Sequence, residues 1–380
     1  MQFGDPSGHG QRNPVLWSLS RRSGSLFQAP LFAALNVEGC GFAVCSPESP
    51  ARDVFIRSAK LIDTPVCPTS INTAFAFALS GLSARHRLSD KLKRHASIVH
   101  VTMSSPIDAF YLQAAKAANV PIILTLHDSV RHLGETNRIL DAIDRRILKL
   151  VDHIAVISDF VFRDAQARQL GKPIHHIAGG LLTREEPGLA LRKAPEGRLQ
   201  RILFLGRIHE YKGLALLLDS IQILAQQGRK VALTVAGSGD LSPYQSALEN
   251  TPHLTIINDW IDEKQVLEVL RKNDILALPY LEASQSGVAI DAQWAAMPAV
   301  ATPVGALPEQ FTHGHDAIIS ESVTPAAFAS ALSQILDNNA LYERLSAGAQ
   351  QSYKDKGLVS VAAKWRDLYA EISPTEKRIL

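Results

Sequence analysis

The chain has 380 residues, of which 46% are hydrophobic and 20% charged, and its formal net charge is +2. Those proportions exclude a disordered polypeptide, and so small a charge excludes nucleic acid as the expected partner. The length calls for two domains rather than one core.

Met1 to Asn13 is polar and rich in Gly and Pro, without the apolar centre of a signal peptide, and reads as a flexible lead-in. No segment reaches the roughly 18 consecutive apolar residues of a spanning helix. Cys40, Cys45 and Cys67 have no metal spacing and form an odd set, which argues against a disulfide framework. A cytoplasmic location is the expectation, with peripheral attachment at the inner face of the plasma membrane as its variant.

Short apolar or β-branched runs then alternate with longer helical patterns, the signature of parallel α/β sheets. In the first half, strands are expected at Pro14–Ser18, Gly41–Cys45, Ser97–Val101, Pro121–Leu126 and His153–Ile157. Helical patterns cover Phe27–Leu35, Asp108–Ala118 and Arg138–Leu150. Gly179–Arg198 breaks the periodicity with Gly179-Gly180, Glu185-Glu186-Pro187 and Lys193-Ala-Pro195, and reads as a linker. The rhythm then restarts, with strands expected at Arg201–Leu205, Lys230–Ala236, Leu254–Asn258, Ile275–Pro279 and Ala299–Ala301. Two doubly wound α/β domains facing a central cleft follow, residues 1–185 and 186–360, with the ligand beyond the carboxyl ends of the strands. Val361, Trp365, Leu368 and Tyr369 share one face of a last helix over about residues 361–380, expected to pack back on the first domain.

Within the second half, Ile202-Leu-Phe-Leu-Gly206-Arg207 runs a buried strand into a glycine turn, and Lys212-Gly213 precedes a helix beginning near Leu214. Glycine permits close backbone approach, and a helix start offers free amides at a positive dipole end. With two cations added, the stretch suits a diphosphate; an ordinary strand-turn-helix with surface charges is the competing reading. The Walker pattern Gly-x-x-x-x-Gly-Lys-Ser/Thr is absent, so an ATPase loses support.

Four further motifs follow in order: Val235-Ala-Gly237-Ser-Gly239-Asp240; Asn258-Asp259-Trp260-Ile261; Leu278-Pro279-Tyr280 with Ala283-Ser284-Gln285-Ser286-Gly287-Val288; and Pro298 through Glu309. With the first, they make residues 200–320 resemble the retaining glycosyltransferases of the GT-B fold in the GT4 group. In that family two glutamates stand at fixed spacing before the proline of the last motif. Here those positions fall on Ala283 and Asp291, with Glu282 one residue out of register, and the chain looks like the subset carrying Ser/Thr-Gln-Ser-Gly.

The resemblance implies that Gly206, Arg207 and Lys212 meet the diphosphate of a nucleotide-sugar donor, a UDP- or GDP-sugar. Gly237 forms the strand-end turn, the backbone of Trp260 and Ile261 meets the base, Ser286 and Gly287 cap the distal phosphate, and Asp291 takes the ribose. His127, ending Leu124-Thr-Leu126-His127-Asp128, reaches the donor sugar from the first domain or simply caps its loop. The implied reaction needs no metal and no cofactor beyond the donor. Its acceptor is a glycan or a polyprenyl-diphosphate-linked sugar, in surface polysaccharide or exopolysaccharide assembly. No Asp-x-Asp motif of metal-dependent glycosyltransferases is present. A sugar-nucleotide epimerase or glycosyl phosphorylase on the same fold, and a non-catalytic nucleotide-sugar-binding subunit, are the alternatives; the lost glutamate keeps the last in view.

Several polar residues carry two readings. His100, His132, Glu135 and Glu309 line the cleft or serve locally, Ser158-Asp159 caps a helix, and Asp240 and Asp262 receive no role. Arg85, Arg87, Lys91, Lys93 and Arg94 crowd one stretch with His86 and His95, after the apolar run Ala74–Leu82. That stretch either docks on an anionic membrane surface or is a solvated loop following a buried helix.

Overall fold

The computed structural model describes residues 12–20, 25–36, 41–58, 60–68, 70–128, 137–177, 189–355 and 358–373. His132, Glu135, Cys40 and the expected domain boundary after residue 185 lie outside them.

The first half forms one parallel sheet from β1 (Asn13–Ser18), β2 (Phe42–Cys45), β3 (Leu61–Asp63), β4 (Ala96–Met103), β5 (Ile122–Thr125), β6 (His153–Val156) and β7 (Ile174–His176), in the order β3-β2-β1-β4-β5-β6-β7. The second half repeats the scheme with β8 (Gln200–Leu205), β9 (Val231–Ala236), β10 (Leu254–Ile257), β11 (Ile275–Leu278), β12 (Ala299–Ala301) and β13 (Ala317–Ile319), ordered β10-β9-β8-β11-β12-β13. The expected pair of doubly wound domains is what the structure contains. Each sheet changes its winding direction once, between β1 and β4 and between β8 and β11, and such switch points place ligands at the carboxyl ends of those strands.

Both faces of each sheet are covered, so the central strands are apolar on both sides. Along β1, Val15 and Trp17 point into one layer while Leu16 points into the other, the period of two that a strand imposes. Along β8, Ile202 and Phe204 enter one layer of the second domain, and Leu203 and Leu205 the other.

The Leu358–Ile372 helix belongs to the first domain's core although it ends the chain. Val361, Ala362, Trp365, Leu368 and Tyr369 are buried in the layer that holds Leu16, Phe27 and Leu31. The His100 ring stacks on Trp365 with centroids 4.3 Å apart, and its two nitrogens meet Tyr369 Oη and Thr125 Oγ1, each at 2.6 Å. His100 is therefore a satisfied core group, not a cleft residue. The described end of the expected linker, residues 189–198, is irregular and fastened to the second domain. There Arg192 donates to the carbonyls of Leu270, Asn273 and Ala295 at 2.9, 2.6 and 2.8 Å.

The Asp108–Ala118 pattern divides at Leu112 into two short helices, Asp108–Tyr111 and Gln113–Ala117. The apolar and basic runs between Ala74 and His95 lie on one helix, Ile71–His95, so the loop reading of the basic stretch does not hold.

Candidate active site

Two loops meet at the second domain's switch point. One leaves β8 through Gly206 and Arg207 and enters the Leu214–Gln226 helix at Gly213. The other leaves β11 through Pro279 and Tyr280 and enters the Gly287–Trp294 helix behind Ser286. Both loops deliver a helix N-terminus, where the first amides have no intrahelical partner.

Their close approach fixes a glycine. Gly213 adopts φ 70°, and a Cβ there would lie 1.8 Å from the Pro279 carbonyl oxygen. Gly237 is held in the same way, since its Cβ would lie 1.9 Å from the carbonyl oxygen of Gly206. Backbone thus packs on backbone across the three strand ends, leaving no room for side chains between them.

Lys212 and Ser286, far apart in sequence, are joined through Tyr280. Lys212 Nζ donates to Tyr280 Oη at 2.7 Å, and Tyr280 Oη shares a hydrogen bond with Ser286 Oγ at 3.2 Å. Tyr280 is buried, which fixes its hydroxyl between the two. A Cβ added to Gly206 would lie 3.9 Å from Lys212 Nζ and 3.7 Å from Val288, so Gly206 abuts this cluster as well. Arg207 is exposed beside it, and Asp291 is half-buried one turn into the Gly287–Trp294 helix.

Ser286 differs from its expected role in one respect. Its backbone amide donates to Gln310 Oε1 at 2.8 Å, and Gln310 Nε2 donates to the Ser286 carbonyl at 3.0 Å. The Ser286 hydroxyl accepts from the Ala289 amide at 3.3 Å as a helix N-cap. The Gly287 and Val288 amides head the helix, where a helix offers N–H groups that have no intrahelical partner.

The first domain reaches this loop through His127. Gln285 Nε2 donates to His127 Nδ1 at 2.5 Å, and the other ring nitrogen, Nε2, donates to the Thr102 carbonyl at 2.7 Å. Those bonds assign the neutral tautomer with its proton on Nε2. Burial favours it too, lowering the pKa against the opposing pull of the Thr102 carbonyl and of Asp128. Phe27 meets the ring edge-on at 5.4 Å. Gln285 Oε1 is buried without a hydrogen-bond partner, a costly state that a ligand hydroxyl would relieve.

Other bridges between the domains account for residues left with two readings. Ser158 caps the Asp159–Ala167 helix by accepting from the Val161 amide, and its hydroxyl donates to the Ser284 carbonyl at 3.0 Å. Glu309 accepts from the Asp159 amide at 2.7 Å and pairs with Arg163 at 3.1 Å. Asp262 forms a capping box with Gln265, and Asp240 accepts from the amide and hydroxyl of Ser242. Trp260 is 39% exposed, and Ile261 packs against the second domain's core below it.

Tyr280, Gln310 and the Gln285–His127 contact were not identified as functional from sequence. Tyr280 and Gln285 stand inside a quoted motif, but nothing local shows that they reach Lys212 and His127. Gln310 carries no signal at all, because its partners are backbone groups of a distant loop.

The family of glycosyl transferases group 1 matches residues 200–338, and glycosyltransferase family 4 matches residues 31–183. Over 295 residues the chain is 28% identical to a D-inositol 3-phosphate glycosyltransferase of Streptomyces coelicolor, covering 70% of this chain and 63% of that one. Over 346 residues it is 24% identical to a phosphatidyl-myo-inositol mannosyltransferase of Mycobacterium tuberculosis, covering 89% of each. For the related D-inositol 3-phosphate glycosyltransferases of Corynebacterium efficiens and Xylanimonas cellulosilytica, the match spans only 43% and 42% of their length. Among solved structures, the Anabaena HepE protein in complex with UDP-glucose superposes with a TM-score of 0.72 at 12% identity, over 95% of this chain and all of that one. The two family matches fall one on each sheet and take in most of the chain, and the chain belongs to the GT4 glycosyltransferases of the GT-B fold.

Proposed function

We propose that the chain moves a sugar from a nucleoside diphosphate sugar to an acceptor hydroxyl with retention of anomeric configuration. The observation that carries this reading is the Lys212–Tyr280–Ser286 chain of hydrogen bonds at the β8/β11 switch point, set between two helix N-termini. On this reading Lys212, Arg207 and the Gly287 and Val288 amides face the diphosphate, with Gly206 and Gly237 giving it close backbone approach. Trp260 and Ile261 meet the base, and Asp291 the ribose.

As the anomeric carbon leaves the β-phosphate, negative charge grows on the diphosphate and positive charge on the ring. Donors held in place before reaction stabilise that charge more than they stabilise the ground state. The acceptor hydroxyl attacks from the face the phosphate leaves and gives its proton to a phosphate oxygen, so no protein nucleophile takes part.

Ala283, which stands where the family has its first glutamate, is buried and presents no carboxylate. Gln285 takes over the sugar contact on this reading, its Oε1 accepting from a donor hydroxyl while its Nε2 holds His127. UDP-glucose in HepE favours a UDP-sugar donor, with GDP-sugars next. The names of the curated relatives add inositol hydroxyls to glycans and polyprenyl-diphosphate-linked sugars as acceptors to test. Assembly of surface polysaccharide or exopolysaccharide remains the proposed role.

Incubation with UDP-, GDP- and dTDP-sugars, with and without these acceptors, tests the reading through nucleotide release. Acceptor-stimulated release from one donor class is expected. Tight nucleotide-sugar binding without turnover on any acceptor would favour a non-catalytic binding subunit, the reading that the missing glutamate keeps in view.

A further inference from the structure

The Gln310 carboxamide grips one residue of the loop after β11 by both of its backbone groups. It accepts from the Ser286 amide at 2.8 Å and donates to the Ser286 carbonyl at 3.0 Å, across 24 residues of chain. Ser286 is extended, at φ −138° and ψ 115°. An extended residue points its own N–H and C=O to one side, and an antiparallel partner strand takes both. Gln310 does the same with one side chain. Within a trans peptide the C=O and N–H point in opposite directions. Holding the Ser286 carbonyl therefore aims the Gly287 N–H away from Gln310, and holding the Ser286 amide aims the Gln285 carbonyl the same way.

Gln310 is itself held in place. Its amide donates to the Ala306 carbonyl at 3.0 Å, its carbonyl accepts from Gln293 Nε2 at 2.8 Å, and the adjoining Phe311 is buried. Gln293 Nε2 also donates to Asp316 Oδ2 at 2.9 Å, while Asp316 Oδ1 accepts from the Thr312 amide at 2.7 Å. These contacts close a ring. The Gly287–Trp294 helix carries Gln293, Gln293 fixes the backbone of Gln310, and the Gln310 side chain fixes the peptide that starts the helix. Packing alone does not call for such a ring. Gln293 and Asp316 are each 1% exposed, and Gln293 Oε1 is buried without a partner. Apolar side chains of similar size fill the space without that desolvation cost, so what the polar groups add is direction.

We infer that Gln310 is a positioning residue for the donor: it sets the Gly287 amide, at the head of the helix, toward the distal phosphate. The inference rests on the donor reading of the cleft and adds a residue that touches no substrate. Without the clamp, the peptide between Ser286 and Gly287 is free to turn its N–H off the phosphate. With it, the donor group is oriented before the nucleotide arrives, which is the condition for stabilising charge that grows during reaction.

The test compares diphosphate with monophosphate binding to the full chain, by calorimetry with UDP and UMP and with GDP and GMP. Wild type is expected to prefer the diphosphate of the base it binds. Gln310→Met keeps the side-chain length and removes both hydrogen bonds; it is expected to lower that preference roughly 10-fold while monophosphate affinity changes little. Gln310→Glu still accepts from the Ser286 amide but sets an oxygen against the Ser286 carbonyl, and the preference is expected to fall at least as far. Tyr342→Phe is the control, since it deletes a buried hydroxyl that donates to the Asp274 carbonyl at 3.2 Å, elsewhere in the same domain. It is expected to lower the melting temperature and leave the preference intact, and unchanged circular dichroism verifies that each variant folds. An intact preference in both Gln310 variants, or equal losses for monophosphate and diphosphate, overturns the inference and leaves the donor reading standing. A wild type that does not prefer the diphosphate removes the donor reading, and this inference with it.

Discussion

Gln285 and His127, one in each domain, lie 2.5 Å apart from amide nitrogen to imidazole Nδ1, so the loop after β11 is tied to the end of β5 across the cleft. His127 is held neutral by burial, and its other nitrogen already donates to Thr102. Gln285 thus has one amide atom committed to the opposite domain and the other, Oε1, buried and unpartnered.

Removing that side chain takes away both the bridge and the proposed sugar contact. Gln285→Ala is expected to lower kcat/KM for the donor by roughly 10- to 10²-fold, the scale for losing one partner of a buried hydrogen bond. Binding of the free nucleoside diphosphate, measured by calorimetry, is expected to change little. An equal loss of nucleotide affinity would place Gln285 at the phosphates rather than the sugar.

Tyr280 touches Lys212 and Ser286 through one hydroxyl, which on the proposed reading makes it a positioning residue for the phosphate end. Tyr280→Phe keeps the ring and deletes only that oxygen. Stability by urea unfolding is expected to fall by about 1–2 kcal/mol, the usual cost of a lost buried hydrogen bond. kcat is expected to fall by roughly 10-fold with little change in KM, because Lys212 loses its fixed direction at the transition state. A drop in stability with kcat intact would mean that Tyr280 is structural only.

His100 gives the fold an acid-sensitive joint. Burial lowers its pKa from 6.5 to about 3, while it holds Tyr369 of the last helix and Thr125 of β5. Between those values the unfolded chain binds the proton and the folded chain does not, so this contribution is present above pH 6.5 and lost as the pH falls toward 3. The loss is on the order of a few kcal/mol. Asp108 works in the opposite sense: burial raises its pKa to about 7, so its contribution is present at low pH and declines as the pH rises toward 7. Comparing wild type with His100→Gln isolates the histidine. The difference in unfolding free energy is expected to move against wild type on acidification from pH 6.5, and a difference independent of pH would show that His100 does not titrate this way.

The architecture was legible because it rests on local pattern. Ten strands longer or more apolar than their surroundings announced themselves, and Arg138–Leu150 appeared with the expected ends. β3, β7 and β13 did not: each has three residues at a sheet edge, too short to show a period, and His175-His176 and Asp63 dilute two of them. At the candidate site, the strand-turn-helix segments that carry Gly206, Lys212, Ser286 and Gly287 were readable because strand, turn and helix start lie together in sequence. What joins them was not. Tyr280 reaches back 68 residues to Lys212, a pair that exists only once β8 and β11 lie side by side, and Gln285 reaches 158 residues to His127, a pair that also needs the two sheets to face each other. The basic stretch after Leu82 stayed open between two readings for a related reason: charge clusters suit loops and helices alike, and only burial of Leu88 and Leu92 beneath it distinguishes them.

The phosphate end of the cleft carries the central claim, and Lys212 is its most direct probe. Donor turnover followed by nucleotide release, for wild type beside Lys212→Ala and Arg207→Ala, is the decisive measurement. On the proposed reading each variant removes a charge from the leaving diphosphate, so Lys212→Ala is expected to slow transfer by roughly 10²-fold or more, and Arg207→Ala to slow it in the same direction. Wild-type rates in both variants would contradict the account.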